Sequence, residues 1–299
     1  MKRPLILSLG EVLWDLFPEG ERFGGAPCNF ACHAAILGAE VAMVSAVGDD
    51  QRGTEAMNIL RGFGIDVSLL QTIPGVPTGT VGIVLDAAGK PTFTIHEGSA
   101  WDRVAWSRDL ETRVAEADAV CFGTLGQRGE VSRDTIRGCI QTARAARILR
   151  VVDINLRPPF YDDACIRESI ELASILKLSD DELPIVCSAC GIPPVGSPEP
   201  LLRQLLESLN LDLIVMTCGA RGAVLATPME IFHQPGIAVT VRDTVGAGDS
   251  FTASFLLSLL RGESPAECLR KACEVAAEVC TQMGAVPNTN TLKPKGGPR

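Results

Sequence analysis

The sequence predicts an α/β fold in which a doubly wound, mostly parallel sheet carries helices on both faces, and three observations support this. Apolar, β-rich runs alternate with helical segments along most of the chain. A hairpin pattern at 81–96 interrupts that alternation. A glycine-rich loop runs directly into a helix near the C-terminus. Together these patterns predict a three-layer α/β architecture with a small β lid.

The alternation can be followed in order along the chain. Strands are predicted at 5–9, 41–47, 119–122, 148–154, 175–178 and 213–217. Helices are predicted at 30–37, 55–63, 132–146, 200–208 and from 251 until Gly262. Several of these helices are followed directly by a glycine, as is typical of a helix C-terminus.

One domain over residues 1–292 accounts for this pattern. Its lid is predicted from the segments at about 12–23 and 81–98, where extended and turn-rich sequence replaces the alternation of strands and helices. Hairpins that project from an α/β core often close over a ligand. Residues 293–299 are predicted to form a flexible tail.

Composition limits the class of protein. The 299 residues are 46% hydrophobic, which is enough for a large core, and the net charge of −9 disfavours nucleic acid or a membrane surface as the main partner. We find no signal-peptide pattern and no apolar stretch near the roughly 20 residues of a membrane span, so we expect a cytoplasmic protein. Eleven cysteines without disulfide spacing fit reduced thiols. Cys187 and Cys190 form a lone CxxC, whose role the sequence leaves open.

The stretch at 243–251, Asp-Thr-Val-Gly-Ala-Gly-Asp-Ser-Phe, is the most informative motif. Gly246, Ala247 and Gly248 carry almost no side chain, so phosphate could approach their amides at the helix N-terminus. A carboxylate repels phosphate, and the chemical role that fits Asp249 here is a general base for an attacking hydroxyl. We expect the helix dipole to keep Asp249 ionised. The alternative is an ordinary N-cap, since Asp and Ser commonly begin helices.

A second set of polar residues lies near the N-terminus. Glu11 and Asp15 follow the first predicted strand, and ligands of open α/β sheets bind beyond the carboxyl ends of strands. Their carboxylates could accept hydrogen bonds from a polyhydroxyl ligand; solvated loop charge is the alternative. Gly24, Gly25 and Asn29 precede the first predicted helix and permit close approach of a ligand. A simple turn with an Asn cap is the alternative there.

Basic and acidic residues follow two later strands. Arg157 comes after the strand at 148–154 and can hold phosphate through two parallel hydrogen bonds. Lys177, a hydroxyl and an acidic run that ends at Glu182 come after the next strand, and this group could organise Mg²⁺ through waters. A charged helix start is the alternative explanation of the acidic run.

A second glycine-punctuated turn follows the strand at 213–217. Thr217, Gly219 and Gly222 lie in it, and such a turn suits nucleotide phosphates. No GxxxxGK[ST] pattern occurs, which excludes a P-loop enzyme, and no GxGxxG follows the first strand, which disfavours a dinucleotide-dependent oxidoreductase. Two phosphate-binding turns, one acid at a helix N-terminus, a cation site and a hydroxyl-recognising pocket are what phosphoryl transfer to an alcohol requires.

The motif at 243–251, and the Gly-Gly-Ala-Pro-Cys-Asn run at 24–29 with Gly38, resemble two signatures of the PfkB family of ribokinase-like carbohydrate kinases. The resemblance extends from about residue 5 to 287 and is greatest to fructokinases. It implies a ribokinase-like fold and transfer of the γ-phosphate of ATP to a sugar, with D-fructose giving fructose 6-phosphate. Kinases of 2-keto-3-deoxygluconate, ribose or a nucleoside stay open as alternatives, as does a non-catalytic sugar-binding regulator.

The resemblance, with the residue patterns above, implies a role for each candidate residue. The catalytic set consists of Asp249 as the base, of Gly246, Ala247 and Gly248 as the anion hole, and of Arg157. The sugar-binding set is Glu11, Asp15, Gly24, Gly25, Asn29 and Asp249. The nucleotide-binding set is Lys177, Thr217, Gly219, Gly222, Asp243, Thr244, Gly246, Gly248 and Cys273. The metal residue is Glu182, which would hold Mg²⁺ through water.

The expected ligands are therefore ATP, Mg²⁺ and a small sugar, with no nucleic-acid or membrane partner. Some members of the family are stimulated by a monovalent cation such as K⁺, and the sequence leaves that question open. Ser179 and Cys273 stand where many relatives carry Asn, so the metal geometry and the nucleotide preference are also open. A lid made of strands exposes their edges, and pairing two lids would cover them, so we expect a homodimer through the lid.

Overall fold

The computed structural model describes residues 3–85 and 91–286, in which the strands form two sheets. The strands in chain order are β1 (Leu5–Leu9), β2 (Leu13–Phe17), β3 (Gly20–Gly24), β4 (Glu40–Gly48), β5 (Leu70–Ile73), β6 (Gly79–Leu85), β7 (Pro91–Ile95), β8 (Ala119–Gly123), β9 (Leu149–Asp153), β10 (Ile175–Ser179), β11 (Leu213–Thr217), β12 (Gly222–Ala226) and β13 (Ile231–Pro235). The helices are α1 (Ala26–Ile36), α2 (Gln51–Gly62), α3 (Arg108–Ala115), α4 (Glu130–Ala145), α5 (Asp163–Leu172), α6 (Leu183–Ala189), α7 (Pro198–Leu209), α8 (Ala247–Leu260) and α9 (Pro265–Cys280).

The large sheet places its strands in the order β13-β12-β11-β10-β9-β8-β1-β4-β5. The pairs from β11 to β5 are parallel, whereas β12 and β13 add an antiparallel edge. The chain extends the sheet from β1 to β4 and β5 on one side, and later from β8 to β13 on the other. Ligands of open α/β sheets bind at such a reversal, beyond the carboxyl ends of the strands.

Helices cover both faces of the large sheet, as predicted. Along β1, Leu5, Leu7 and Leu9 belong to a core that includes side chains of α3 to α7. Ile6 points to the other face and belongs to a core that includes α1, α2 and α8. This alternation follows from the two-residue period of a strand, and it confirms the three-layer prediction.

The small sheet has the strand order β3-β2-β6-β7. It consists of two antiparallel hairpins joined by parallel pairing of β2 with β6, a pairing that the sequence pattern did not predict. Leu13, Val81 and Ile83 form its own apolar core. Both segments predicted to form a small β element are therefore in it. The hairpin loop at 86–90 and the predicted tail at 293–299 lie outside the described residues, and the domain limit at 292 stays a prediction.

Helices α1, α2 and α8 begin four residues earlier than predicted, and for α1 and α2 the reason is local. α1 begins at 26 rather than 30, since Gly25 takes a φ of 105° as its N-cap and Pro27 occupies the first turn. α2 begins at 51 rather than 55 because the side chain of Asp50 accepts a hydrogen bond from the amide of Gly53. Asn29 therefore lies inside the first turns of α1 instead of capping it.

The sequence pattern also missed several short or half-exposed elements, namely β5, α3, α5, α6, β12 and β13. No helix in the described ranges is both long enough and apolar enough to cross a membrane. All eleven cysteines carry free thiols, and the predicted CxxC pair sits at the end of α6, with Cys187 buried and Cys190 partly exposed.

Candidate active site

The glycine loop before α8 is held by close backbone packing. Gly246 takes a φ of 79°, and a Cβ atom there would stand 2.4 Å from the carbonyl oxygen of Ala285. Only glycine fits both conditions, because other residues rarely adopt a positive φ and would also collide with this carbonyl. The position of the loop is thus fixed by the segment that follows α9.

The first amides of α8, called the amide cradle below, are those predicted to form an anion hole, and one of them is already used. The amide of Ala247 already donates to the carbonyl of Thr244 at 3.3 Å. The amides of Gly248 and Asp249 have no acceptor in the described part of the chain. The cradle therefore depends less on Ala247 than predicted, and it includes the amide of Asp249 itself.

Asp249 stands at this N-terminus with one oxygen fixed. Asn29 donates from Nδ2 to Oδ2 of Asp249 at 2.8 Å, and Oδ1 accepts no hydrogen bond from the described residues. Burial raises the pKa of Asp249 to about 6, with a further increase from the nearby carboxylate of Asp153. With its pKa near 6, the ionised form of Asp249 predominates at pH 7. The helix dipole was expected to favour the ionised form of Asp249. Burial opposes ionisation, so the pKa of Asp249 lies not far below pH 7.

A buried ion pair lies behind the cradle. Lys177 Nζ is 3.0 Å from Asp153 Oδ1, and Oγ1 of Thr252 lies 3.1 Å from Asp153 Oδ2. Burial alone would lower the pKa of Lys177, but the Asp153 carboxylate outweighs it and keeps the ammonium charged. A Cβ atom on Gly248 would lie 3.3 Å from Nζ, so this charge stands directly against the cradle.

A polar pocket forms where β1, β8 and β9 end. This pocket, called the polar floor below, is lined by Glu11, Thr124, Asn155 and Asp249 among others. Its enclosed part has a volume of about 30 Å³, room for only one or two water molecules, so a larger ligand would reach this floor with one end. Asn155 takes a φ of 38°, a strained backbone for a residue other than glycine.

Glu11 and Asp249, which line this floor, share a positive neighbour with Asp15, which does not line it. Burial raises the pKa of Glu11 to about 7 and that of Asp15 to about 6. Arg157, whose own side chain is exposed, lowers the pKa of Glu11, Asp15 and Asp249. Arg157 lies outside the lining of this pocket, and its contact with substrate or phosphate stays a prediction.

The two N-terminal glycines permit this packing. A Cβ atom on Gly24 would lie 2.7 Å from Oδ2 of Asp15. A Cβ atom on Gly25 would lie 2.6 Å from the carbonyl oxygen of Glu11. The Gly25 contact requires glycine, because its neighbour is backbone and its φ is 105°, whereas the neighbour of Gly24 is the end of the Asp15 side chain.

A second, larger pocket lies between α8, α9 and the end of β11. Its volume of about 500 Å³ is in the usual range for small-molecule sites. Predicted nucleotide residues line it, namely Thr217, Gly219, Gly222, Thr244, Gly248 and Cys273. Aliphatic side chains that the sequence did not reveal complete the wall, including Ile237, Val239, Val241, Ala276 and Ala277. The pocket thus combines an apolar wall with the amide cradle at one end.

Asp243 and Glu182 have other partners. Asp243 accepts from the amides of Val245 and Gly284 and so holds the loop to the segment after α9. Glu182 accepts from the amide of Leu156 at 2.7 Å through Oε1, and from Ser179 through Oε2. Both oxygens are engaged, so Glu182 does not fit a direct metal ligand. No cluster of acids, His or Cys in the described segments could hold a metal ion. Water-mediated binding of Mg²⁺ by Glu182 stays a prediction.

Sequence reasoning missed five polar residues of the site, namely Ser8, Thr124, Asp153, Asn155 and Thr252. Asp153 and Asn155 were visible only as part of a run at the end of a strand, and Thr252 as a helix residue. The signal that could have identified Asp153 is an acid that follows two valines at the carboxyl end of a central strand, a position that requires a charged partner. The partner, Lys177, lies on the neighbouring strand in register with Asp153.

Comparison with known proteins gives consistent results. The sequence pattern of the pfkB family carbohydrate kinases matches residues 19–292. A fructokinase of Salmonella typhimurium is 30% identical, with 94% of this chain and 92% of that protein covered. An aminoimidazole riboside kinase of the same species is also 30% identical, with 93% and 89% covered. The crystal structure of an uncharacterized sugar kinase from Pyrococcus horikoshii in complex with ATP superposes with a TM-score of 0.80, at 27% identity and with 96% of each chain covered.

Proposed function

Given that the chain belongs to the pfkB family of carbohydrate kinases, and so is a phosphotransferase acting on a sugar hydroxyl, we propose that it transfers the γ-phosphate of ATP to D-fructose and forms fructose 6-phosphate. The observation that carries the proposal is the position of Asp249. It lines the polar floor, while its neighbours Ala247 and Gly248 line the large pocket. One carboxylate thus stands between a site for hydroxyls and a site for a nucleotide.

The choice of fructose is supported by the fructokinase of Salmonella typhimurium, at 30% identity. A riboside is the second candidate, because a relative named aminoimidazole riboside kinase is equally similar. Both acceptors present a primary hydroxyl to a general base, so the same mechanism serves either. The 2-keto-3-deoxygluconate and ribose alternatives use the same chemistry. A non-catalytic regulator is disfavoured by the family and by the free Oδ1 of Asp249.

In the proposed mechanism, the sugar lies over the polar floor with its reacting hydroxyl at Oδ1 of Asp249. Asn29 holds the other oxygen, which fixes the plane of the carboxylate. Glu11 and Asp15 accept hydrogen bonds from other hydroxyls, and at their raised pKa values they can also donate when protonated. Arg157 balances the charge of these carboxylates. Gly24 and Gly25 leave room for the sugar to approach these carboxylates.

ATP lies in the large pocket with its γ-phosphate at the cradle. The amides of Gly248 and Asp249 and the ammonium of Lys177 stabilise the negative charge on the phosphoryl group during transfer. Asp249 accepts the proton of the attacking hydroxyl, because a hydroxyl oxygen that keeps its proton is a weak nucleophile. Mg²⁺, when bound by ATP, would neutralise phosphate charge. Thr217, Gly219, Gly222, Thr244 and Cys273 line the pocket for the rest of the nucleotide.

The substrate is tested by ADP release from ATP and Mg²⁺ across a panel of fructose, ribose, 2-keto-3-deoxygluconate, glucose, adenosine and aminoimidazole riboside. We expect fructose to give the highest kcat/KM. A higher value with another panel member replaces the substrate and keeps the mechanism. Binding of fructose without turnover of any panel member contradicts the proposed function.

Replacement of Asp249 by Asn should lower kcat by roughly 10²–10⁴-fold, the usual contribution of a positioned base. Asn keeps the size of the side chain and an oxygen that can accept from Asn29. Asp163→Asn, an exposed acid in the first turn of α5, is the matched control and should leave kcat unchanged. Turnover of Asp249→Asn at the wild-type rate would remove Asp249 from the mechanism.

The rate should depend on pH through Asp249. Its pKa is raised to about 6, and the base works only when ionised, so kcat/KM should rise with pH and reach half its maximum near pH 6. An unperturbed Asp would titrate near 3.9. The measurement is kcat/KM from pH 4.5 to 8 for the wild type and for Glu11→Gln. The Asp249 carboxylate raises the pKa of Glu11, so by reciprocity removal of the Glu11 charge should leave the acid limb in place or move it to lower pH. A limb that vanishes in Glu11→Gln would assign the titration to Glu11 instead.

The proposed assembly is a homodimer through the small sheet, in a cytoplasmic protein. Its edge strands β3 and β7 lack a neighbour on one side in the described residues, and Phe93 on β7 is 59% exposed. Light scattering should give twice the chain mass for the wild type. Phe93→Lys should shift the mass toward the monomer, whereas Val195→Lys, at an exposed loop residue, should not. A monomeric wild type at working concentration contradicts the dimer.

A further inference from the structure

Arg128 is a buried charge for which the phosphoryl-transfer mechanism has no use. Its side chain is 7% exposed, and it holds Asp102 through two parallel hydrogen bonds of 2.8 and 2.9 Å. It also donates to the carbonyl of His96 at 2.7 Å. The rings of Trp101 and Phe160 lie 3.9 and 4.8 Å from its guanidinium carbon. These five residues are called the Arg128 clasp below.

One side of the clasp belongs to the small sheet. His96 follows β7 directly, and its amide donates to the carbonyl of Thr80 on β6. Trp101 and Asp102 lie in the short 3-10 helix Ala100–Arg103, which follows His96 in the chain. Arg128 therefore holds the point at which the chain leaves the small sheet.

The other side of the clasp belongs to the polar floor. Arg128 ends a turn in which its amide donates to the carbonyl of Leu125, and Leu125 lines the floor with Thr124. The amide of Phe160 donates to the carbonyl of Arg157 at 2.9 Å, so the ring that covers Arg128 is tied to the proposed sugar-binding arginine. The clasp thus joins the exit of the small sheet to two segments that border the sugar pocket.

Stability alone is a weak reason for this arrangement. Replacing a buried ion pair by apolar groups is often neutral or stabilising. In addition, Nη1 of Arg128 is buried and has no acceptor among residues 3–85 and 91–286, which adds a desolvation cost. The clasp does fix the orientation of the Arg128 guanidinium. A guanidinium that is bidentate to a carboxylate and stacked on rings has a fixed plane, which a lysine cannot reproduce.

We propose that Arg128 is a positioning residue for the sugar site, which through the clasp fixes the small sheet relative to the polar floor. The proposal rests on the proposed function, because the pocket that the clasp serves is the proposed sugar pocket. A sugar reaches the floor with one end, so its alignment with Asp249 depends on the segments around the floor. A misplacement of about 1 Å can cost on the order of 10² in rate. None of the clasp residues lines either pocket, but the clasp is joined to the polar floor through Leu125, and no such connection among the described residues leads to the nucleotide pocket, so we expect the effect on the sugar.

The test replaces Arg128 by Lys and measures kcat, the KM of the sugar and the KM of ATP, with the panel member of highest wild-type kcat/KM as the sugar. We expect kcat/KM for the sugar to fall about 10- to 100-fold, the cost of a small misplacement, while the KM of ATP stays within about twofold. The matched control is Arg137→Lys. Arg137 contacts Gln127 in the same turn and pairs with Glu168, outside the clasp, and its replacement should leave all three constants within about twofold.

Two further variants keep the test decisive if Arg128→Lys folds poorly. Phe160→Leu removes one ring of the clasp, and Asp102→Asn removes the charge partner. Both should lower kcat/KM for the sugar with the KM of ATP unchanged. The double variant Arg128→Lys/Asp102→Asn should lose less than the product of the two single losses, since the two residues act as one unit.

Equal losses for sugar and ATP, in step with a lower melting temperature, would reduce Arg128 to a structural residue and overturn the proposal. Unchanged constants in all variants would overturn it as well. The wild-type panel is read separately: a wild type without turnover of any sugar contradicts the proposed function, whereas a working wild type with unaffected variants contradicts only the role of Arg128.

Discussion

The hydrogen bond between Asn29 and Asp249 joins residues 220 positions apart, and the arrangement of the site depends on it. Asn29 can make it only because α1 begins at 26, which turns this side chain toward the first turn of α8. Asp249 can receive it only because Gly246 lies against Ala285 and sets where α8 begins. The packing of α1 against α8 in one apolar core holds both ends of the bond. The backbone geometry of two glycine-rich turns therefore determines where the Asp249 carboxylate lies.

The same region gathers negative charge where a phosphate must bind. Glu11, Asp15 and Asp249 have raised pKa values because burial disfavours their ionised forms. Lys177, next to the amide cradle, and Arg157 both lower the pKa of Asp249. In the proposed mechanism, the acids that accept from hydroxyls and the groups that hold phosphate are separated along the carboxyl edge of the sheet. Strands β1, β8 and β9 end at the first set, and β10 and β11 end at the second.

The sequence predicted the parts of this site that short motifs encode. Periodicity gave the parallel sheet with helices on both faces, and the glycine-rich motifs identified the two turns and Asp249. Asp153, Asn155 and Thr252 were missed because their importance comes from neighbouring strands and helices that meet only in the folded chain. The apolar wall of the nucleotide pocket was missed for a related reason, since Val239 and Ala276 are ordinary residues in sequence. Glu182 was predicted from its type to hold Mg²⁺ through water, and the contacts of its oxygens with the amides of Leu156 and Ser179 arise only in the folded chain.

A crystal structure of the protein with fructose and a non-hydrolysable ATP analogue would show whether Asp249 connects the two sites. We expect the 6-hydroxyl within hydrogen-bond distance of Oδ1 of Asp249, and the γ-phosphate of the analogue at the amides of Gly248 and Asp249. We also expect the base between α9 and the segment that carries Val239. A sugar hydroxyl directed away from Asp249, or a nucleotide bound outside this pocket, would contradict the claim that one carboxylate connects the two sites.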